Sequence, residues 1–109
     1  MLSEVLGGNY YAVIFTSKKS KLDGGYSEMA AQMAERASSQ PGYLGHESWR
    51  SDQGDGVTIS YWKTLEDISN WKKDLEHLEA QNLGKTQWYE QYFMRVCRVE
   101  YDYSHPKNP

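Results

Sequence analysis

Cysteine is almost absent from this chain of 109 residues: Cys97 is its only thiol. One cysteine cannot close an internal disulfide or build a cysteine-based zinc site. The three histidines, His46, His77 and His105, have no metal-ligand spacing, so no metal is expected. No apolar run approaches the length of a membrane-spanning helix. Met1 to Gly8 has neither a basic stretch nor an apolar core, so no signal peptide is expected. With the lone thiol, this points to the cytoplasm. Positive charge is not in excess either: 12 basic and 15 acidic residues give a net charge of -3. Phosphate backbones require a basic surface, so nucleic acid is not expected as a partner.

Aromatic residues are abundant instead, with nine Tyr, four Trp and two Phe making up 14% of the chain. Tyr and Trp join a large apolar body to an O–H or N–H. They help to explain a mean hydropathy of -0.83 without disorder, because disordered chains are poor in aromatics. The length fits one domain.

Residues 1–9 read as a leader and residues 104–109 as a tail, leaving a domain over 10–103. Tyr10 to Ser17 is rich in aromatic and β-branched residues and predicts a strand. Lys18 to Gly25 is a polar loop. Tyr26, Met29, Ala30, Met33, Ala34 and Ala37 then form one apolar stripe at helical spacing. Gln40-Pro41-Gly42 stops that helix. In a strand over Tyr43–Ser51, alternation puts Tyr43, Gly45, Glu47 and Trp49 on one face and His46, Ser48 and Arg50 on the other. Gly54 and Gly56 supply positive φ angles for a hairpin turn, and Val57 to Trp62 returns. Thr64 is an N-cap for a second helix, with Leu65, Ile68, Trp71, Leu75 and Leu78 as its stripe. Phe93 to Tyr103 alternates as a last strand, in which Cys97 is expected to be a buried, inert thiol. Lys72, Lys73, Asp74, Glu76 and Glu79 read as a solvated helix face.

The order β-α-β-β-α-β predicts an α+β, ferredoxin-like domain: an antiparallel sheet with both helices on one face. The other face would carry aromatic and aliphatic groups, and an uncovered patch of that kind implies a partner. A second copy is the simplest one, so a homodimer is expected.

Gln40-Pro41-Gly42-Tyr43-Leu44-Gly45, Ile59-Ser60-Tyr61-Trp62, the Trp71 helix, His77-Leu78-Glu79-Ala80-Gln81 and Trp88-Tyr89 stand in an order that resembles the antibiotic biosynthesis monooxygenase domain family. The likeness spans roughly residues 9 to 103. It implies a dimeric α+β barrel in which two sheets face each other. It also implies a ligand cleft between helices and sheet in each subunit, and cofactor-free oxidation of aromatic, polyketide-type compounds. A deprotonated, electron-rich phenol or enol can itself reduce dioxygen. The protein then needs to exclude water, hold a ring flat and manage a proton. The family's heme-degrading branch uses a first-strand asparagine and a histidine ten residues after a helix tryptophan. Here Ile14 or Phe15 and Gln81 occupy those places, against heme degradation.

His77 is the candidate general base, since imidazole titrates near neutral pH. On an unbroken helix it stands across from the Ile68–Trp71–Leu75 stripe. A break near Lys72–Asp74 would let it turn to the sheet with Ala80, Gln81 and Gly84. Trp71 and either Trp62 or Tyr61 would hold the ring, and Gln81 would orient it. Tyr11 could donate a hydrogen bond to the ligand, and Arg50 could clamp an anionic group. Plainer readings stand beside these: core packing for Trp71, structural packing or dimer contact for Trp62, packing for Tyr11, and an intersubunit ion pair with Glu47 or Glu100 for Arg50. A non-catalytic protein that binds or sequesters a small molecule in the same cleft is the alternative function.

Overall fold

The computed structural model describes residues 5–19, 26–81 and 89–106, with side chains at 5–18, 31–76 and 91–106. The elements are β1 (Tyr10–Lys19), α1 (Tyr26–Ser38), β2 (Tyr43–Arg50), β3 (Asp55–Trp62), α2 (Leu65–Gln81) and β4 (Tyr89–Val99). The predicted β-α-β-β-α-β order holds. The four strands form one antiparallel sheet in the order β2-β3-β1-β4. The breaks expected at Asp23-Gly24-Gly25 and Asn82-Leu83-Gly84 lie outside the described residues.

Register decides which side chains share a face, because paired residues point the same way. Tyr11 stands opposite both Trp62 and Arg98, and Val13 opposite both Ser60 and Val96. This face receives the helices: Ala37 of α1 and Ile68, Trp71 and Leu75 of α2 pack with Val13 and Trp62. Arg36 joins the helices through an ion pair to Asp74 at 2.9 Å, and Gln40 also donates to Asp74. Asp74 is therefore a bridge between helices, not part of a solvated face.

The opposite face carries Tyr10, Tyr61, Ile59, Glu47, Trp49, Phe93 and Cys97. Trp49 and Phe93 are about half exposed there. Cys97 is exposed, contrary to expectation, because β4 is an edge strand and no described helix covers this side. Tyr43 also departs from simple alternation. The register shifts between Tyr43 and Gly45, so Tyr43 joins His46 on the helix side. In the β2–β3 turn only Gly54 has a positive φ (93°). Gly56 has a different role, since a Cβ there would meet the Arg50 guanidinium at 2.5 Å. β4 ends at Val99 rather than Tyr103. Its partner β1 begins at Tyr10, and the preceding Gly7, Gly8 and Asn9 all have positive φ and turn the chain away.

Candidate functional site

Two stacked tryptophans underlie the site. Trp62 is fully buried at the end of β3, and its ring lies 5.0 Å from that of Trp71 at 30°. The alternation of β3 sends Trp62 to the helices and Tyr61 to the other face, which settles the choice between them. The two indoles differ in their polar ends. Trp62 Nε1 donates to Ser60 Oγ at 2.9 Å. Trp71 Nε1 is buried and has no hydrogen-bond partner among the described residues. Tyr43 meets Trp62 edge-on at 5.7 Å, shares a hydrogen bond with His46 Nδ1, and has its phenol pKa raised by burial. Tyr11 packs against the same cluster from β1.

Tyr11 also lines a pocket of about 410 Å³, with Asn9, Lys63, Thr64, Leu65 and Arg98. That volume suits a small ligand. The fold brings these residues together from three places. β1 and β4 pair so that Arg98 lies beside Tyr11. β3 delivers Lys63, Thr64 and Leu65 as it passes into α2. Lys63 is fixed by its amide, which donates to the Gly42 carbonyl at 2.9 Å. Thr64 caps the helix as predicted, its Oγ1 accepting from the Asp67 amide at 3.0 Å. Leu65 is 55% exposed and sits at the pocket rim, not in the stripe expected of it.

Asn9 comes from the bend before β1. Its φ of 54° is left-handed, a conformation that asparagine tolerates better than most residues. Asp102 holds this bend. Its carboxylate accepts from the Leu6 amide at 2.8 Å, the Gly7 amide at 3.1 Å and the Tyr10 hydroxyl at 2.7 Å. The Tyr10 bond, then the amides, lower the Asp102 pKa. Burial first, then Asp102, pushes the Tyr10 phenol well above its ordinary value. Gly8 permits the close approach, as a Cβ would meet the Glu100 carbonyl at 3.1 Å.

Of the residues singled out in the sequence, Trp62, Trp71 and Tyr11 come together. Tyr61 does not: it packs on Tyr10 across the sheet, ring centres 5.8 Å apart. Arg50 shares the helix-side face but stands opposite Gly56, about 20 Å along β3 from Trp62. It is spent on the Gly54 carbonyl and on Ser17 Oγ. α2 is unbroken from Leu65 to Gln81, so the break that would turn position 77 to the sheet does not occur. The side chains of His77 and Gln81 lie outside the described residues.

Asn9, Lys63 and Arg98 were not anticipated. The one signal was Arg98 itself, a cation following Met94 and Val96 on one face of β4. No group of His, Cys, Asp and Glu among the described residues could hold a metal ion. No described helix is long and apolar enough to cross a membrane.

The sequence pattern described as Monooxygenase af470-like matches residues 5–104. Uncharacterized protein YqjZ of Bacillus subtilis (strain 168) is 47% identical over 91 residues, covering 84% of this chain and 80% of that protein. Among solved structures, SnoaB, a cofactor-independent oxygenase from Streptomyces nogalater, superposes with a TM-score of 0.68 at 13% identity. That match covers 91% of this chain and 99% of SnoaB. An antibiotic biosynthesis monooxygenase candidate from Nitrosomonas europaea gives 0.69 at 16%, covering 90% and 94%. At such identities the two structures establish a common fold.

Proposed function

The chain belongs to the monooxygenase af470-like family, and from that premise we propose that it is a cofactor-independent monooxygenase acting on a small aromatic or polyketide-like compound. The observation that carries this reading is the aromatic wall. Tyr11 forms one side of a 410 Å³ pocket and backs onto the Trp62–Trp71 stack. A flat ring set against Tyr11 would be oriented and partly desolvated, as an electron transfer from substrate to dioxygen requires.

Position 77 stands twelve residues along the unbroken α2 from Leu65, about 18 Å from this pocket, so no proton transfer in it is assigned to His77. Gln81, at the far end of α2, is likewise given no role in this pocket. Two copies would pack through the face bearing Trp49, Phe93 and Cys97, leaving the helix-side pocket of each free. The exposed free thiol of Cys97 suits a reducing cytoplasm.

The test is dioxygen uptake with a panel of anthrones and dihydroxynaphthalenes. Uptake above the buffer rate is expected, with Tyr11→Ala slowing it by about tenfold or more. If no compound in the panel raises uptake, a non-catalytic ligand-binding protein is the better reading. If Tyr11→Ala leaves uptake unchanged, the reaction does not take place against this wall.

A further inference from the structure

We infer that the pocket selects an anion, and that its ligand is an aromatic or polyketide-type acid whose carboxylate lies between Lys63 and Arg98. This rests on the reading above only in taking the same pocket as the ligand site. The protein as a whole is acidic, with a net charge of -3. Of the six residues lining the pocket, two are cations and none is a carboxylate. Local charge thus opposes the overall balance, which marks a site built for an anion.

The nearby acids are accounted for. Asp67 is turned to Gly42, where its carboxylate fills the space of the missing Cβ. Asp102 is occupied by two amides and the Tyr10 hydroxyl. Glu66 and Glu100 are exposed and do not line the pocket. Neither Lys63 nor Arg98 is in an ion pair among the described residues. Arg50, the cation on the same sheet face that the sequence suggested for this task, is held about 20 Å away by Ser17 and Gly54.

The geometry favours a carboxylate on a ring over a free small anion. Arg98 stands next to Tyr11 across β1 and β4, so an aromatic body and a charged group can be met together. A guanidinium fork matches a planar carboxylate, and the lysine adds a point charge. Asn9 adds a carboxamide from a backbone conformation fixed by the Asp102 clasp, and residues held in such sparsely populated conformations cluster at ligand sites. A second copy docking on the opposite face would leave Arg98 where it is.

The experiment is a titration of the full chain with 1-hydroxy-2-naphthoic acid and with its methyl ester at neutral pH. It is read by tryptophan fluorescence and by calorimetry. The two probes share a ring and differ in charge. The acid is expected to bind about tenfold tighter than the ester. That preference should shrink to within about twofold in Lys63→Gln/Arg98→Gln, and acid affinity should fall with added salt. Circular dichroism of the variant checks that it folds; both residues are exposed. Equal or tighter binding of the ester overturns the inference. So does a preference that survives the double substitution, or the failure of both compounds to bind at millimolar concentration. Oxygen uptake is not read, so the two ideas fail separately. A protein that prefers the acid yet consumes no oxygen loses the monooxygenase reading alone. One that oxidises neutral phenols and ignores the carboxylate loses only the anion site.

Discussion

Trp62 and Trp71 should respond very differently to the same substitution. Replacing either by Phe removes the second ring of a buried indole. The lost burial and the cavity together cost about 1–2 kcal/mol. The polar ends then separate the two cases. Trp62→Phe leaves Ser60 Oγ, on a residue only 5% exposed, without its partner. A buried hydroxyl left unpaired costs a further 1–3 kcal/mol or so, for a total of about 2–5 kcal/mol. Trp71→Phe removes a buried donor that had no described partner. The same principle now works in reverse and offsets most of the lost packing, for a net change of about 0–1 kcal/mol. At about 4 °C or more per kcal/mol for a domain of this size, the two midpoints should differ by about 10 °C. Differential scanning calorimetry and urea titration of both variants measure this directly. Ser60→Ala added to Trp62→Phe should cost little more, because the orphaned hydroxyl goes with it. Equal losses for the two tryptophans, or a larger loss at Trp71, would refute the account.

Three other outcomes follow. The Asp102 pKa is lowered, so its stabilising effect is complete above the ordinary value of 3.8 and fades as pH falls through the lowered one. Amide resonances of Leu6 and Gly7 should shift together at low pH and lose that transition in Asp102→Asn; an unchanged titration would contradict the clasp. Gly42→Ala should cost about 1 kcal/mol for φ = 82° alone, and more because its Cβ would lie 1.9 Å from Asp67 Oδ2. A chemical-denaturation midpoint equal to that of the parent would be the contrary result. In solution the protein should sediment at twice 12.6 kDa, and Cys97 should react with a thiol reagent faster on dilution. A concentration-independent mass of 12.6 kDa would remove the dimer.

Much of the fold was legible because its signals are local. Ile68, Trp71 and Leu75 announce a helix face by spacing alone, and Thr64 announces its start by one side chain. The face chosen by Tyr61 and Trp62 was not legible, since both are apolar enough for either side and only the register decides. Tyr43 misled because a register shift beside Gly45, whose φ is 148°, breaks the period of two, and that glycine was the one local sign of it. Cys97 looked buried because it lies in an apolar strand, but the strand is at an edge. The pocket was least visible. Asn9, Lys63 and Arg98 are far apart in sequence and meet only because β1 pairs with β4 while β3 leads into α2.

The strand order β2-β3-β1-β4 bears on how the chain is made. β1 is made before the other three strands, yet it is an interior strand whose second neighbour, β4, is the last of the four to be made. Tyr10 must wait for Val99, which at translation rates of about 5–20 residues per second is a delay of roughly 5–18 s. During that interval one side of β1 offers unpaired amides and carbonyls to any passing strand. A chain interrupted before β4 would carry that open side permanently, with Val13 and Ile14 beside it. Premature termination is thus a route to aggregation for this protein, and β4 is the segment whose arrival closes it.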